Sequence, residues 1–445
     1  MLQRLRALLS RHRHAHFAVA DQLLVSGVNF LTGIVLARLL GPAAFGVFVL
    51  LQAVMLYVNA FQVSLIFSPM LSNAPQMEEA QRAAYLRGVL ALQLALSLLL
   101  ALVVWGLGTA GGRLFPVAAL EPSVVLALAA AILAFQLQDW LRRYYFLRQK
   151  AGAAFANDII SYGGQLVLLV WFALTDDLAL ADVMWIMAGT SAAAFVLGYL
   201  ISRAPVRPAF HDARAVLREG WRAGRDYFVA WQMQWAGTQG VLLVGAGLLG
   251  TQAAGGVRAA QNIIGPINIL FQAMENVVPV TAARRFKEGG LPALSHYLWR
   301  NTAWGSALLL PVMVGLAIAA EPLTRMVYGQ AYVAFASLVI WQAASMFLQF
   351  YLRQVTFFLR TVGATGVIIQ IGATIAIVSV VVAACTVGAW QETGIMLALL
   401  AGGGAGLAWA CLAARRITRE MQAELNSGAG HARPMAVAAD SGGRR

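Results

Sequence analysis

Arg258, Gln261, Asn262, Asn268, Gln272, Glu275 and Asn276 lie in one otherwise mostly apolar run, Val257–Val280. An arginine offers a planar fork that holds phosphate or carboxylate by paired hydrogen bonds. Amide side chains both donate and accept, which suits hydroxyl-rich ligands. A carboxylate inside such a run can relay protons or hold a cation. At about 100° per residue the seven polar positions fall within one arc of about 140°. Arg258 and Glu275 are 17 positions apart, about 25 Å along a helix axis, so one stands near each end of a membrane crossing. A helix in lipid does not turn such a stripe outward. It faces a bundle interior or a water-filled path.

Further polar stripes have the same spacing. Asp21, Gln22, Ser26, Asn29, Thr32 and Gly33 share one side of a first helix. Gln52, Asn59 and Gln62 do so more weakly in a second, and Trp231, Gln232, Trp235, Thr238 and Gln239 in a seventh. Amides can bond sugar hydroxyls and Trp faces can stack on sugar rings. Taken singly, each amide would serve equally well as an interhelical hydrogen bond. Asp21, Asp158 and Glu275 are the carboxylates placed to couple transport to a proton or cation. Arg142, Arg143, Arg353 and Arg360 fall at helix ends, where they anchor the chain by charge or gather an anionic headgroup.

The elements that position these residues are membrane helices. The chain is 60% hydrophobic and only 11% charged, with a mean hydropathy of +0.71, a balance that excludes a soluble domain of this size. The fold class is therefore all-α and polytopic, since lipid admits only helices or closed barrels and the runs have helical length. Twelve spans are expected, at about 17–40, 43–68, 85–107, 121–142, 151–174, 181–202, 224–249, 253–279, 297–320, 332–358, 364–387 and 393–414. Residues 1–16 form a basic interfacial helix. Residues 17–202 and 224–414 form two six-helix bundles, 203–223 a basic linker, and 415–445 a largely disordered tail.

Charge fixes the expected orientation. Of 32 Lys and Arg, 28 fall in the N-terminal segment, the even-to-odd loops and the C-terminal tail, while the opposite loops hold only Arg113 and Arg325. Both termini then lie in the cytoplasm. The net charge of +13 is a topology signal and does not indicate nucleic-acid binding. Cys385 and Cys411 sit in late apolar segments, which argues against a disulfide framework or a Cys metal site. His12, His14 and His16 need no ligand. No Walker A pattern, nucleophile elbow, metal-ligand cluster or acid pair is present, so neither an enzyme nor a bound cofactor is expected.

The chain also repeats itself. Gln138, Leu141, Arg142, Phe146, Gly152 and Ala153 recur 211 positions later as Gln349, Leu352, Arg353, Phe357, Gly363 and Ala364. Leu39-Leu40-Gly41 followed by Gly46 recurs 209 positions later as Leu248-Leu249-Gly250 followed by Gly255. Six spans per half give both halves the same orientation, the arrangement of two bundles that alternate access about a central site.

The stretch Ala20–Phe48, ADQLLVSGVNFLTGIVLARLLGPAAFGVF, resembles the opening of the Wzx-like polysaccharide-biosynthesis flippases. These form a branch of the multidrug/oligosaccharidyl-lipid/polysaccharide (MOP) exporter superfamily. The carrying feature is the LARLLGPxxFG junction between spans 1 and 2. EPLTRMVYGQAY, Glu321–Tyr332, and the six-plus-six layout agree. Fourteen spans would have pointed instead to the lipid II branch. The resemblance implies a flippase in the bacterial inner membrane, moving an undecaprenyl-diphosphate-linked oligosaccharide from the cytoplasmic to the periplasmic leaflet. Polymerase and chain-length proteins are partners only through this resemblance. In that setting Arg258 would hold the diphosphate. A cation-coupled multidrug exporter of the same superfamily is the alternative. A membrane polysaccharide polymerase or ligase fits less well, because the outer loops are short.

Overall fold

The computed structural model describes residues 2–114, 121–175, 178–202 and 207–426. Among these every regular element is helical. Three helical runs exceed one bilayer crossing and are broken where the backbone leaves helical geometry. The run Leu2–Gln62 breaks at Gly41 (φ 72°, ψ 173°), ahead of Pro42. Asn268–Ile318 breaks at Gly289 and Gly290, and Thr365–Asn426 at Gln391. Glycine suits the first two sites because positive φ carries no Cβ penalty there, and proline suits the first turn of the helix that follows.

Divided at these breaks, the described residues form twelve long helices. They are α1 (2–40), α2 (42–76), α3 (Glu79–Leu114), α4 (Pro122–Leu147), α5 (151–175), α6 (Leu180–Ile201), α7 (210–249), α8 (251–288), α9 (291–318), α10 (Ser337–Thr361), α11 (365–390) and α12 (392–426). A short helix, Ala320–Tyr328, joins α9 to α10. The expected count of spans holds. Several helices run past their expected ends, since polar residues continue a helix once it leaves lipid.

One expected helix, α8, contains a tighter turn. The run read as a single span over 253–279 is a helix to Ile264, a tight turn Gly265–Ile267 containing Pro266, and a second helix from Asn268. Pro266 has no N–H for the helical ladder. The arc through Arg258 and Glu275 therefore crosses a tighter turn, with the backbone in the right-handed helical region on both sides of it.

The chain divides into two compact units, 1–232 and 233–445, with the division inside α7. In the first, Phe67, Met70, Leu90, Trp140 and Leu141 are fully or nearly fully buried in one core. In the second, Ala282, Leu294, Phe357 and Leu359 play that part. Large apolar side chains such as Leu107, Leu174 and Ile318 are exposed on the outside, as a bilayer-facing surface requires.

The basic segment around 207–225 is not an open tether. From Phe210 it is helical, and Gly220 and Gly224 lie against the main chain of Leu65 and Ser64 in α2. Two glycines four apart let two helices approach at backbone distance. Asn73 Nδ2 donates to Glu219 Oε1 (2.5 Å) beside this contact. Arg203 lies outside the described residues, as do 115–120 between α3 and α4, 427–445 of the tail and the side chains of the basic N-terminal helix up to residue 15.

Candidate functional site

In the first unit, α1, α4 and α5 bring two carboxylates to one guanidinium. Arg142 Nη2 donates to Asp21 Oδ2 (2.5 Å), and its Nε stands 2.6 Å from Asp158 Oδ2. Asp21 and Asp158 are essentially inaccessible and Arg142 is 16% exposed. Gln138, one turn before Arg142, donates to Asp158 Oδ1 (2.8 Å) and Asn157 Oδ1 (3.0 Å). Asn157 is itself held by donation to the Ala194 carbonyl of α6. Asp158 is followed by a wide π turn, 159–163, of the kind often found at functional positions. Asp21 Oδ1 is buried with no hydrogen-bond partner among the described residues. One positive charge thus faces two buried negative ones, and the group has room for one more proton or monovalent cation.

Next to it Arg143 lies 3.4 Å from Asp139 and stacks over the Phe67 ring at 4.3 Å. Arg142 and Arg143, read as headgroup-gathering residues, are thus already engaged by aspartates of their own unit.

The second unit carries the opposite balance. Glu275 of α8 is shared by two arginines of α10: Arg353 Nη1 to Oε1 at 3.0 Å and Arg360 Nη1 to Oε2 at 2.9 Å. Arg353 also lies over the Phe271 ring at 4.9 Å, and its Nε is buried with no acceptor among the described residues. Two cations on one carboxylate leave positive charge for an anion.

The reversal follows from helix register. α4 and α10 end in matching turns, with Lys150 N bonded to Tyr145 O (2.8 Å) and Ala364 N bonded to Leu359 O (2.9 Å). In those turns Gln149 and Gly363, 214 positions apart, both take positive φ. By that register Asp139 stands where Arg353 stands in the other unit, and Phe146 where Arg360 stands. The 211-residue sequence match, which paired Arg142 with Arg353, is three residues out of step with the helices. The junction at Gly41 and Gly250 keeps its 209-residue spacing, with φ of 72° and 91°.

Arg258 is half-buried in α8. It donates from Nη2 to Gln239 Oε1 (3.3 Å), and its Nε is buried without a partner among the described residues. No carboxylate pairs with it among the described residues. Gln239 sits in another π turn, 236–240 of α7. The α7 and α8 stripes thus meet at this pair. Gln261 and Asn262 follow on α8 half-buried, and beyond the turn Asn268 and Gln272 are exposed. The side chain of Asn276 lies outside the described residues.

The remaining stripe residues differ in setting. Gln22 and Asn29 are exposed on α1, with Gln22 donating to Ser26 (3.1 Å). Asn59, Gln232 and Trp235 are half-buried, and both amide atoms of Gln232 lack partners among the described residues. Gln62 is fully buried, donating to Gln93 Oε1 (3.0 Å) and the Gln136 carbonyl (2.6 Å). It joins α2, α3 and α4. Gln138, Asp139 and Asn157 were not among the expected site residues. The acidic-amide pair Asn157-Asp158 inside an apolar span was the available signal.

A family profile described as polysaccharide biosynthesis protein matches residues 35–337, more than half of the chain. The chain belongs to that family. No curated protein matches it. Among solved structures, an inward-facing multidrug resistance MATE family transporter of the MOP superfamily superposes with a TM-score of 0.74 at 15% identity. That match covers 90% of this chain and 95% of that one. The lipid II flippase MurJ, in an inward closed conformation, gives a TM-score of 0.69 at 11% identity, over 89% and 87% of the two chains. A MOP superfamily transporter from Pyrococcus furiosus gives 0.54 at 13% identity, over 93% and 96%. At such identities the likeness is one of fold. This polysaccharide biosynthesis protein has the MOP transporter fold, as its LARLLGPxxFG junction implied, and it is a multi-pass membrane protein.

Proposed function

We propose that this family member is a flippase for a polyprenyl-diphosphate-linked oligosaccharide, carrying it from the cytoplasmic to the periplasmic leaflet of a bacterial inner membrane by alternating access. The observation that carries the reading is Arg258. It is an arginine inside a span, bonded to one neutral amide, with a buried donor and no carboxylate paired to it among the described residues. Such a charge is costly in lipid unless it meets an anion, and a diphosphate is a strong, bidentate match. The cationic excess of Arg353 and Arg360 over Glu275 supports the same class of ligand. Gln239, Gln261 and Asn262 would bond the first sugars. Asp21 and Asp158 would take up the coupling proton or cation, with Arg142 released or held according to their charge. Both termini would be cytoplasmic, and polymerase or chain-length proteins would act on the product.

The test is transposition in liposomes. Purified protein is reconstituted with a labelled polyprenyl-diphosphate oligosaccharide, and leaflet exposure is followed with and without a proton or sodium gradient. Protein-dependent movement that Arg258→Ala abolishes supports the proposal. No movement with several glycans, in folded protein, removes it.

A cation-coupled multidrug exporter is the second reading. The buried acidic excess at Asp21 and Asp158 favours it, since such an exporter centres on a carboxylate. Drug hypersensitivity of a deletion strain with unchanged surface polysaccharide would select it.

A further inference from the structure

On the side of the second unit where the basic residues gather, α9, α10 and α12 enclose a groove of about 410 Å³. Its floor is apolar, built from Leu298, Val355 and Phe358. One wall carries Arg415 and Arg419, four apart and therefore on one face of α12. Both are exposed, and neither pairs with a carboxylate among the described residues; the neighbouring Arg416 is the one bound to Glu420 (2.8 Å). At the rim Trp299 is 71% exposed, in the way Trp sits at a membrane–water boundary.

The groove also contains a buried donor. Gln354 is only 5% exposed. Its Oε1 accepts from Asn301 Nδ2 (2.8 Å), which fixes the amide and leaves Nε2 without an acceptor among the described residues. An unpaired buried donor is expensive unless a ligand fills it. The hydroxyls nearby offer little to a sugar, because Thr302 and Thr418 spend their protons on the Leu298 and Ala414 carbonyls (2.7 and 2.8 Å). The groove therefore presents cationic and amide donors, an apolar floor and a Trp rim, which together match a phosphate on an acyl chain.

We infer that this groove holds the phosphate of an anionic glycerophospholipid from the surrounding leaflet, with Arg415, Arg419 and Gln354 as its donors and the acyl chain along Leu298, Val355 and Phe358. The site stands apart from Arg258 and does not depend on the flippase proposal. Because Gln354 follows Arg353 directly on α10, its occupant bears on the helix that holds the Glu275 cluster.

The test is native mass spectrometry of the full chain in detergent, titrated with phosphatidylglycerol, phosphatidylcholine and undecaprenyl diphosphate. Phosphatidylglycerol should bind in preference to phosphatidylcholine. R415Q/R419Q should lower its apparent affinity by about tenfold or more, the loss of charge-assisted phosphate contacts. R284Q/R285Q removes the same charge at the end of α8 and should leave binding unchanged. If the double variant does not fold, R419Q and Q354L singly carry the same expectation at smaller size. An equal loss in R284Q/R285Q would mean net charge alone is felt, and would overturn the site. Tighter binding of undecaprenyl diphosphate, lost in R415Q/R419Q, would assign the groove to the transported lipid and overturn the phospholipid. Melting temperature in detergent, unchanged across the variants, distinguishes lost binding from lost fold.

Discussion

Arg142 of α4 joins Asp21 of α1 at 2.5 Å, across 121 residues of sequence. Asp158 claims the same guanidinium at 2.6 Å. Taking away this cation would leave two buried carboxylates uncompensated. Removing one partner of a buried pair costs about 3–5 kcal/mol, whereas replacing the whole set by uncharged groups is often neutral. Arg142→Met should therefore reduce the yield of monodisperse protein sharply, and D21N/R142M/D158N should restore it. Size-exclusion profiles of tagged variants measure both. Recovery absent from the triple variant would show that the charges themselves are needed to fold.

Coupling is tested with milder changes. D21N and D158N keep the shape and one acceptor oxygen but cannot take up a proton. In the liposome assay each should lose the response to an imposed gradient while exchange without a gradient persists. If gradient dependence survives in both variants, the coupling ion binds elsewhere, and Glu275 becomes the next carboxylate to examine.

Arg258 and Gln239 differ in expected weight. Arg258→Ala removes the charge and the fork. Arg258→Lys keeps the charge but loses paired geometry, and Gln239→Ala removes only a 3.3 Å contact. Transposition should fall in the order Ala at 258, Lys at 258, Ala at 239, with protein levels unchanged. A charged hydrogen bond lost from the transported headgroup is worth about 1.5–3 kcal/mol, or roughly ten- to a hundredfold in affinity. Equal activity of the Lys and wild-type proteins would make Arg258 a point charge without bidentate binding.

How far the site was legible depended on how local its signal was. Apolar runs and basic loops gave the twelve helices, because length and charge are local. Leu-Leu-Gly at 39–41 and 248–250 gave two real turns, since a glycine at positive φ leaves a mark in sequence. The stripe from Arg258 to Asn276 crosses a tighter 3-10 turn at Pro266, which periodicity alone does not mark. The pairing of Arg142 with Arg353 did not survive. Identity at 211 outranked the helix ends at 214, and one turn of offset hides the exchange of Asp139 for Arg353. Carboxylates claimed by arginines of distant helices, as Glu275 is by Arg353 and Arg360, are tertiary facts with no local mark.

Gln62 tests the difference between a lining amide and a structural one. It is fully buried and bonds to Gln93 and to the Gln136 carbonyl. Gln62→Leu should strand the Gln93 Oε1 acceptor, while the Gln136 carbonyl keeps its longer bond from Gln93 Nε2 (3.4 Å), lowering stability by about 1–3 kcal/mol. Gln136 has both side-chain amide atoms buried without partners among the described residues, so Gln136→Met should be neutral or stabilising. Thermal unfolding in detergent separates the two. A normal melting temperature with altered glycan preference in Gln62→Leu would return that residue to the transport path.

The contact of α7 with α2 is close enough to be read atom by atom. A Cβ on Gly224 would meet the Ser64 carbonyl, and one on Gly220 the Leu65 carbonyl, both main-chain atoms that cannot swing aside. Each therefore forces the two helices apart. G224A or G220A should cost about 1–3 kcal/mol, the range for overpacking, and G220A/G224A more than either. Gly27 on α1 is the control, with nothing near its would-be Cβ. There alanine should be neutral or add about 0.5–1 kcal/mol through better helix propensity. Opposite shifts in melting temperature are expected at the two kinds of site. If G224A melts like wild type, α7 is not held on α2 by this glycine pair, and the basic segment before it is free to move as a tether.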